Sequence, residues 1–290
     1  MSFDRNGQCW CGSGKKYKKC HMAFDDKLDL FKKQGFKVPP HAMIKTPEQI
    51  EGIKKAAIVN NGLLDYIEAR IKPGVTTQDI DDWANEFLKA NNAHSADLNY
   101  EGYPKSICTS VNDVVCHGIP SSKVVLKEGD IVNVDATTEV GGYYADASRM
   151  YLIGEVSEEA KKLVEETKKC LEIGMTAVKP WASCIGDIGV AIEKYAHRCG
   201  YSVVEEFCGH GVGLKMHENP YVYHFAPNEK TELIVPGMVF TIEPMINQGK
   251  KNIFIDANNG WEVKTKDHKL SAQWEHTILV TEDGYEILSK

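Results

Sequence analysis

From Ile131 to Asp146, IVNVDATTEVGGYYAD, apolar and polar positions alternate. Val132, Val134 and Ala136 fall on one side and Asn133, Asp135 and Thr137 on the other, the period of a strand with one buried face. Gly141-Gly142 supplies the positive φ angles of a tight turn, so the stretch predicts a β-hairpin. A turn at those glycines sets Thr137 opposite Asp146 and makes Asp135 the diagonal neighbour of Asp146 on the same face. A turn slipped to Val140-Gly141 sets the two Asp directly opposite. Either register brings two carboxylates together on a half-buried sheet. That is unfavourable unless the face is solvated, the pair shares a proton, or a cation lies between them.

Helical periods flank this hairpin twice. Thr46-Pro47-Glu48-Gln49 reads as a capped helix start, and Ile50, Ile53, Leu64 and Ile67 carry it to about Ile71. Lys72-Pro73-Gly74 breaks it, and Thr76-Thr77-Gln78-Asp79 opens a second helix with Ile80, Trp83, Phe87 and Leu88 on one face. The layout returns after the hairpin. Ser157 caps a helix bearing Leu163, Cys170 and Leu171, and Val178-Lys179-Pro180 breaks it. Ser183 precedes another helix through Ile185, Ile188, Ile192 and Tyr195, stopped by Gly200. The matching order predicts two α+β halves, 43–155 and 156–290, facing each other with a site between them.

The first forty residues are of another kind. Cys9, Cys11, Cys20 and His21 lie within thirteen residues, with Gly12 and Gly14 letting the backbone curl. This is the donor set of a closed, structural Cys3His zinc site, and a segment without a core would draw its folding energy from the metal. The spacing is similar to the small zinc motif at the C-terminus of the secretion ATPase SecA. Lys15, Lys16, Lys18 and Lys19 give it a basic face, suited to RNA or an acidic partner, or simply solvated. We divide the chain into this motif (1–22), a linker or short charged helix (23–42) ending in the extended spacer Val38-Pro39-Pro40, and a main domain (43–290).

Composition narrows the class. The net charge of −7 argues against a sequence-independent grip on nucleic acid. No apolar run is long enough to span a membrane, and the N-terminus lacks the apolar core of a signal peptide. Nine cysteines, six of them scattered, fit free thiols in a reducing cytoplasm.

The second half supplies further ligands. His210 sits between glycines in Cys208-Gly-His210-Gly, and His217 follows seven residues on. Glu243 ends the apolar strand Met238–Glu243, Glu275 stands in the middle of a strand spanning 271–281, and His117 closes a strand in the first half. Each alone is more often structural. Together, Asp135, Asp146, His210, Glu243 and Glu275 offer four carboxylates and an imidazole, suiting two divalent ions such as Mn, Fe or Co.

With these motifs the chain resembles the bacterial type I methionine aminopeptidases. The likeness runs over 43–290 and rests on GYPKSICTSVNDVVCHGIP (Gly102 to Pro120), the Asp135/Asp146 hairpin, GHGVGLKMHENP (Gly209 to Pro220), FTIEPM (Phe240 to Met245) and SAQWEHT (Ser271 to Thr277). It implies the α+β pita-bread fold, with two pseudo-symmetric halves around a curved antiparallel sheet and the zinc knuckle appended. It also implies removal of the initiator methionine from nascent proteins and peptides by a dinuclear metal site in a monomer. Asp146 and Glu275 would bridge the ions, Asp135 would hold one, and His210 with Glu243 the other. Glu243 would also shuttle a proton, and His117 and His217 would contact the substrate and stabilise the tetrahedral intermediate. Tyr100, Tyr103, Cys108, Met216 and Trp261 match the family's methionine pocket, and Asn112, Val114 and Ser271 match a Na or K site. Asp97, Glu101 and Met216 depart from common family residues at the pocket rim. The rival readings are a non-catalytic binder of this fold, an aminopeptidase acting before proline, and a zinc knuckle with the large domain as scaffold. Ribosome docking through the knuckle's lysines is a further expectation.

Overall fold

The Gly141-Gly142 turn forms in the computed structural model, which describes residues 3–290, with φ of 60° and 84°. Strands Ile131–Val140 and Tyr143–Leu152 pair antiparallel with Thr137 opposite Asp146, the first of the two expected registers. Val132, Val134 and Ala136 point to one side and pack against two helices. These are α2 (Pro47–Glu68) and α3 (Thr77–Ala90), both capped as the sequence predicts, by Thr46 with Gln49 and by Thr76 with Asp79. Helix α2 stops at Glu68, three residues before the expected end.

The second half repeats the pattern with α4 (Glu158–Thr176), capped by Ser157, and α5 (Ile185–Arg198). Leu163, Leu171, Ile188 and Ile192 pack on Phe240, Ile242 and Ile278 of the sheet. The two halves share one nine-stranded antiparallel sheet. Strand Glu275–Val280 stands between the hairpin strand Tyr143–Leu152 of the first half and strand Val239–Ile242 of the second. Beyond Val239–Ile242 come Gly209–Gly211 and, at the edge, Glu218–Val222. Helices cover one face of the sheet, and the polar positions of the hairpin line the other.

One expectation changes. The stretch 271–281 is not one strand: Ser271–Gln273 belongs to a separate three-stranded sheet, and the chain crosses at Trp274 into the large one. Trp274 packs on the core and its indole N–H donates to the Val164 carbonyl at 3.2 Å, which leaves Glu275 at a strand start. The segment read as a linker or short charged helix takes the second form, α1 (Met22–Lys33). Its Leu28 is buried in the core of the second half, and Phe24 and Phe31 pack on Trp181. An amphipathic face buried this way packs the helix onto the body of the second half.

The glycines around His210 bring backbones together. A Cβ on Gly211 would meet the Asn219 carbonyl well inside contact distance, and one on Gly209 would meet the Thr241 carbonyl. Gly211→Ala should therefore lower stability by about 1–3 kcal/mol, the usual cost of overpacking, as read by thermal unfolding. An unchanged melting temperature would show that the strands can part.

Candidate active site

Register alone gathers the acidic residues. Asp135 and Glu275 both lie opposite Ser148, one from each side, and Asp146 is two residues from Ser148 on the same face. Pairing of His276 with Ile242 brings Glu243 up beside Glu275. Asp146, His210 and Glu275 each offer a ligand atom, and those atoms lie within 4.8 Å of one another.

His210 is held in one orientation. Its Nδ1 lies 3.0 Å from the Gly211 carbonyl, to which Nδ1–H donates, leaving the Nε2 lone pair free. That Nε2 stands 3.7 Å from an Asp146 oxygen and 3.6 Å from a Glu243 oxygen, too far for hydrogen bonds. Burial pushes the imidazole down to about 4, so it is neutral at pH 7 and these are not ion pairs. A neutral imidazole facing two carboxylates across such gaps is the arrangement of ligands around a common ion, with the carbonyl fixing the tautomer. Thr241 supports both sides: its hydroxyl accepts from the His210 N–H at 3.0 Å and donates to Glu243 at 2.9 Å. The second Glu243 oxygen accepts from the Gln273 amide at 3.1 Å.

The carboxylates repel one another. Burial, then the charges of Asp146 and its neighbours, pushes Asp135 and Glu275 well above the usual carboxylate range. Glu243 rises from 4.5 to about 8, through burial and then Asp146, and Asp146 rises from 3.8 to about 6, chiefly through burial. The fully buried Asp146 Oδ1 has no hydrogen-bond partner among the described residues. Divalent cations would satisfy that oxygen and cancel the repulsion, so the residues fit a metal centre.

A pH effect follows for metal-free protein. Between the ordinary carboxylate value near 4 and the raised value near 8, the native state holds protons that the unfolded chain has released. The contribution of these carboxylates to stability is then full below about pH 4 and is lost as pH rises through about 6 to 8. Calorimetry with chelator should show a falling melting temperature across this range, absent when metal replaces the protons. A flat metal-free profile would contradict this electrostatic picture.

The same cavity, about 410 Å³, takes in all five ligand candidates and both histidines expected to contact the substrate, His117 and His217. Tyr100, Tyr103, Cys108, Met216 and Trp261 line it too, as do the departures Asp97 and Glu101. Asp97 accepts from the Thr137 N–H at 3.0 Å. His117 sits in the left-handed region, φ 56°, just past strand Val114–Cys116, where burial and then His217 hold it down to about 4. Strained backbone of this kind persists only where the surroundings impose it. His217 lies at the mouth with Nδ1 2.8 Å from the Tyr100 hydroxyl. Sequence reasoning missed Phe207, edge-on to His117, and His224, whose buried Nε2 accepts from the Glu243 N–H at 3.1 Å. Phe207 adjoined a marked motif; His224 carried no signal. At the expected cation site the Ser271 N–H donates to the Asn112 carbonyl at 2.9 Å, and Val114 begins the neighbouring strand.

The N-terminal ligands also meet. Sγ of Cys9 and of Cys20 each lie 3.2 Å from Nδ1 of His21, and Cys11 Sγ lies 3.6 Å from Cys20 Sγ. All four atoms fall within 4.8 Å, the spacing of donors on a small tetrahedron.

Fold and site together define a class. Residues 51–282 match metallopeptidase family M24, and the chain belongs to that family. Within it, the chain is 48% identical over 98% of both lengths to the methionine aminopeptidase of Chlamydia trachomatis serovar D. It is 46% identical to the methionine aminopeptidase of Escherichia coli K12, covering 85% of this chain and 93% of that one. The crystal structure of methionine aminopeptidase from Rickettsia prowazekii superposes with a TM-score of 0.82 at 44% identity, over 85% of this chain and 99% of that one. Prolidase from Pyrococcus furiosus, at 24% identity and TM-score 0.69, shares the fold. Residues 5–23 match the SEC-C motif. Family membership implies divalent metal ions, in keeping with the donor set.

Proposed function

We infer that this protein is a metallo-aminopeptidase that removes the N-terminal methionine from peptides and nascent proteins. The observation that carries the reading is the convergence of five metal-type donors beside an aromatic and sulfur-lined pocket in one cavity. We assign Asp146 and Glu275 as ligands that the ions would share, Asp135 as a ligand that would hold one of them, and His210 with Glu243 as ligands that would hold the other. Bound divalent ions supply an acidified water nucleophile and polarise the scissile carbonyl. Mn, Fe and Co all suit carboxylate and imidazole donors.

The chain's own groups do the rest. Glu243 is oriented through both oxygens by Thr241 and Gln273, and we assign it the proton transfer from nucleophile to leaving amine. With the Tyr100 hydroxyl donating to His217 Nδ1, the Nε2–H of His217 faces the cavity as a donor for the developing oxyanion. His117, kept neutral, contacts the substrate beside it. Tyr103, Cys108, Met216 and Trp261 form the apolar wall for the thioether. Asn112, Val114 and Ser271 are assigned to a Na or K ion that steadies the strand junction behind the site.

We assign the SEC-C segment one structural zinc on Cys9, Cys11, Cys20 and His21, with the catalytic unit at 43–290. The free cysteines suit a reducing cytoplasm, and we take the enzyme to act as a monomer. Among the described residues no helix is long and apolar enough to cross a membrane. The exposed Lys15, Lys16, Lys18 and Lys19 suit docking on ribosomal RNA, which co-sedimentation at low and moderate salt would test.

The deciding experiment is turnover of Met-Ala-X against Pro- and Leu-leading peptides. Metal-stripped protein is re-supplied with Mn, Fe or Co. Selective release of methionine is expected. Preference for a peptide cleaved before proline, or inactivity with every metal, would overturn the reading.

A further inference from the structure

Beside the active-site cavity lies a second groove of about 680 Å³, within the size range of ligand sites. One wall is the zinc knuckle, through Trp10 and Cys11; another is the stretch from Pro40 to Ile44; the floor is the sheet-edge strand Glu218–Val222. His217 and Tyr221 line both cavities, so the groove opens directly from the catalytic centre. The methionine pocket, around Tyr103, Cys108 and Trp261, belongs to the inner cavity alone. A chain anchored there by its first side chain can continue past His217 and Tyr221 into the groove.

The groove is built and held. Trp10 stacks on His41, ring centroids 4.1 Å apart and 18° from parallel. Asp25 of α1 ties the pieces together: it accepts from the Trp10 indole at 3.0 Å and the Tyr17 hydroxyl at 2.7 Å, and faces His41 Nε2 at 2.9 Å. The knuckle is thus a fixed wall, preorganised for a ligand. Its charges are largely satisfied from within. Lys45 reaches Glu218 at 2.8 Å, and the other Glu218 oxygen accepts from the N–H of Leu214 and of Lys215. None of Lys15, Lys16, Lys18 and Lys19 lines it, which favours polypeptide over nucleic acid as the occupant. Tyr221, 59% exposed at the junction, offers an open aromatic surface, and an unpartnered sheet edge accepts extended chain.

We propose that this groove binds the extended polypeptide downstream of the cleaved bond, so that the zinc knuckle forms part of the substrate site. The proposal rests on the aminopeptidase reading above. Its test uses the full-length, zinc-loaded protein on methionyl peptides of three to eight residues sharing the same first three. Going from the shortest to the longest should raise kcat/KM by about tenfold, mainly through KM, equivalent to about 1.4 kcal/mol. Tyr221→Ala and Trp10→Ala should each flatten that length dependence. Zinc content identifies any Trp10 variant whose knuckle has failed to form, and the exposed Tyr221 provides the independent arm. The gain should survive molar salt, because the groove is nearly neutral. If the tripeptide is not cleaved at all, the aminopeptidase reading fails and the groove proposal with it. If the tripeptide is cleaved and length makes no difference, the groove proposal alone is wrong. It is equally wrong if the gain persists in Tyr221→Ala with Trp10→Ala, or vanishes in salt as docking by the surface lysines would.

Discussion

Replacing Glu275 with Gln is expected to abolish methionine release and to reduce bound divalent metal while the domain stays folded. Glu275 is 1% exposed, starts the strand that joins the two halves, and offers an oxygen within 4.8 Å of ligand atoms of Asp146 and His210. The amide keeps the shape and loses one anionic ligand and its charge. Changes to groups that merely support metal ligands already cost about 10–100-fold, so loss of a residue assigned as a ligand itself should cost more. The folded state should not suffer. Without metal, burial and then the charges of Asp146, Glu243 and Asp135 make an ionised Glu275 unfavourable, and the neutral amide removes that destabilising term. The metal-free variant should thus melt no lower than metal-free wild type at pH 7, while metal raises its melting temperature much less. Asp146→Asn should behave alike. Wild-type turnover with full metal loading in either variant would sink the assignment.

His217→Ala should lower kcat by about 100- to 1,000-fold, the cost of losing one oxyanion donor, and leave bound metal unchanged. His217 packs edge-on to His210, ring centroids 4.2 Å apart, but is not in the cluster that Asp146, His210 and Glu275 form. Its Nδ1 is engaged by Tyr100. Tyr100→Phe should reproduce part of the loss, because the tautomer is then no longer held. Metal measured by atomic emission separates the outcomes: metal loss in His217→Ala would place this histidine among the ligands.

Much of this site was legible in the sequence because backbone rules carry it. Gly141-Gly142 set the hairpin register, and that register alone brings Asp135 and Asp146 to one face. The capping boxes at Thr46 and Thr76 were readable because their partners lie three residues away. What escaped depends on partners far along the chain. Nothing local marks Asp25 as the acceptor that joins Trp10, Tyr17 and His41, so 23–42 read only as a linker or short charged helix with no packing partner named. The crossing at Trp274 was hidden because both flanking pieces are strand-like, and alternation reports a face without naming the sheet. His224 is a lone histidine in an aromatic run whose neighbour, the Glu243 backbone, is set only by the fold.

The strand Glu275–Val280 has a consequence for how the molecule comes into being. It is translated after all but one of the sheet's other strands, yet it occupies the middle of the sheet. While the polypeptide emerges, the hairpin strand Tyr143–Leu152 and strand Val239–Ile242 each wait with an open side for a segment still untranslated. At about 5–20 residues per second, the stretch from Ile242 to Val280 keeps the second of these sides open for roughly two to eight seconds. Over that interval the ligand set lacks Glu275, and two strand borders are available to other chains. Proteolytic arrest during translation should therefore find the first half sensitive until residue 280 has cleared the tunnel.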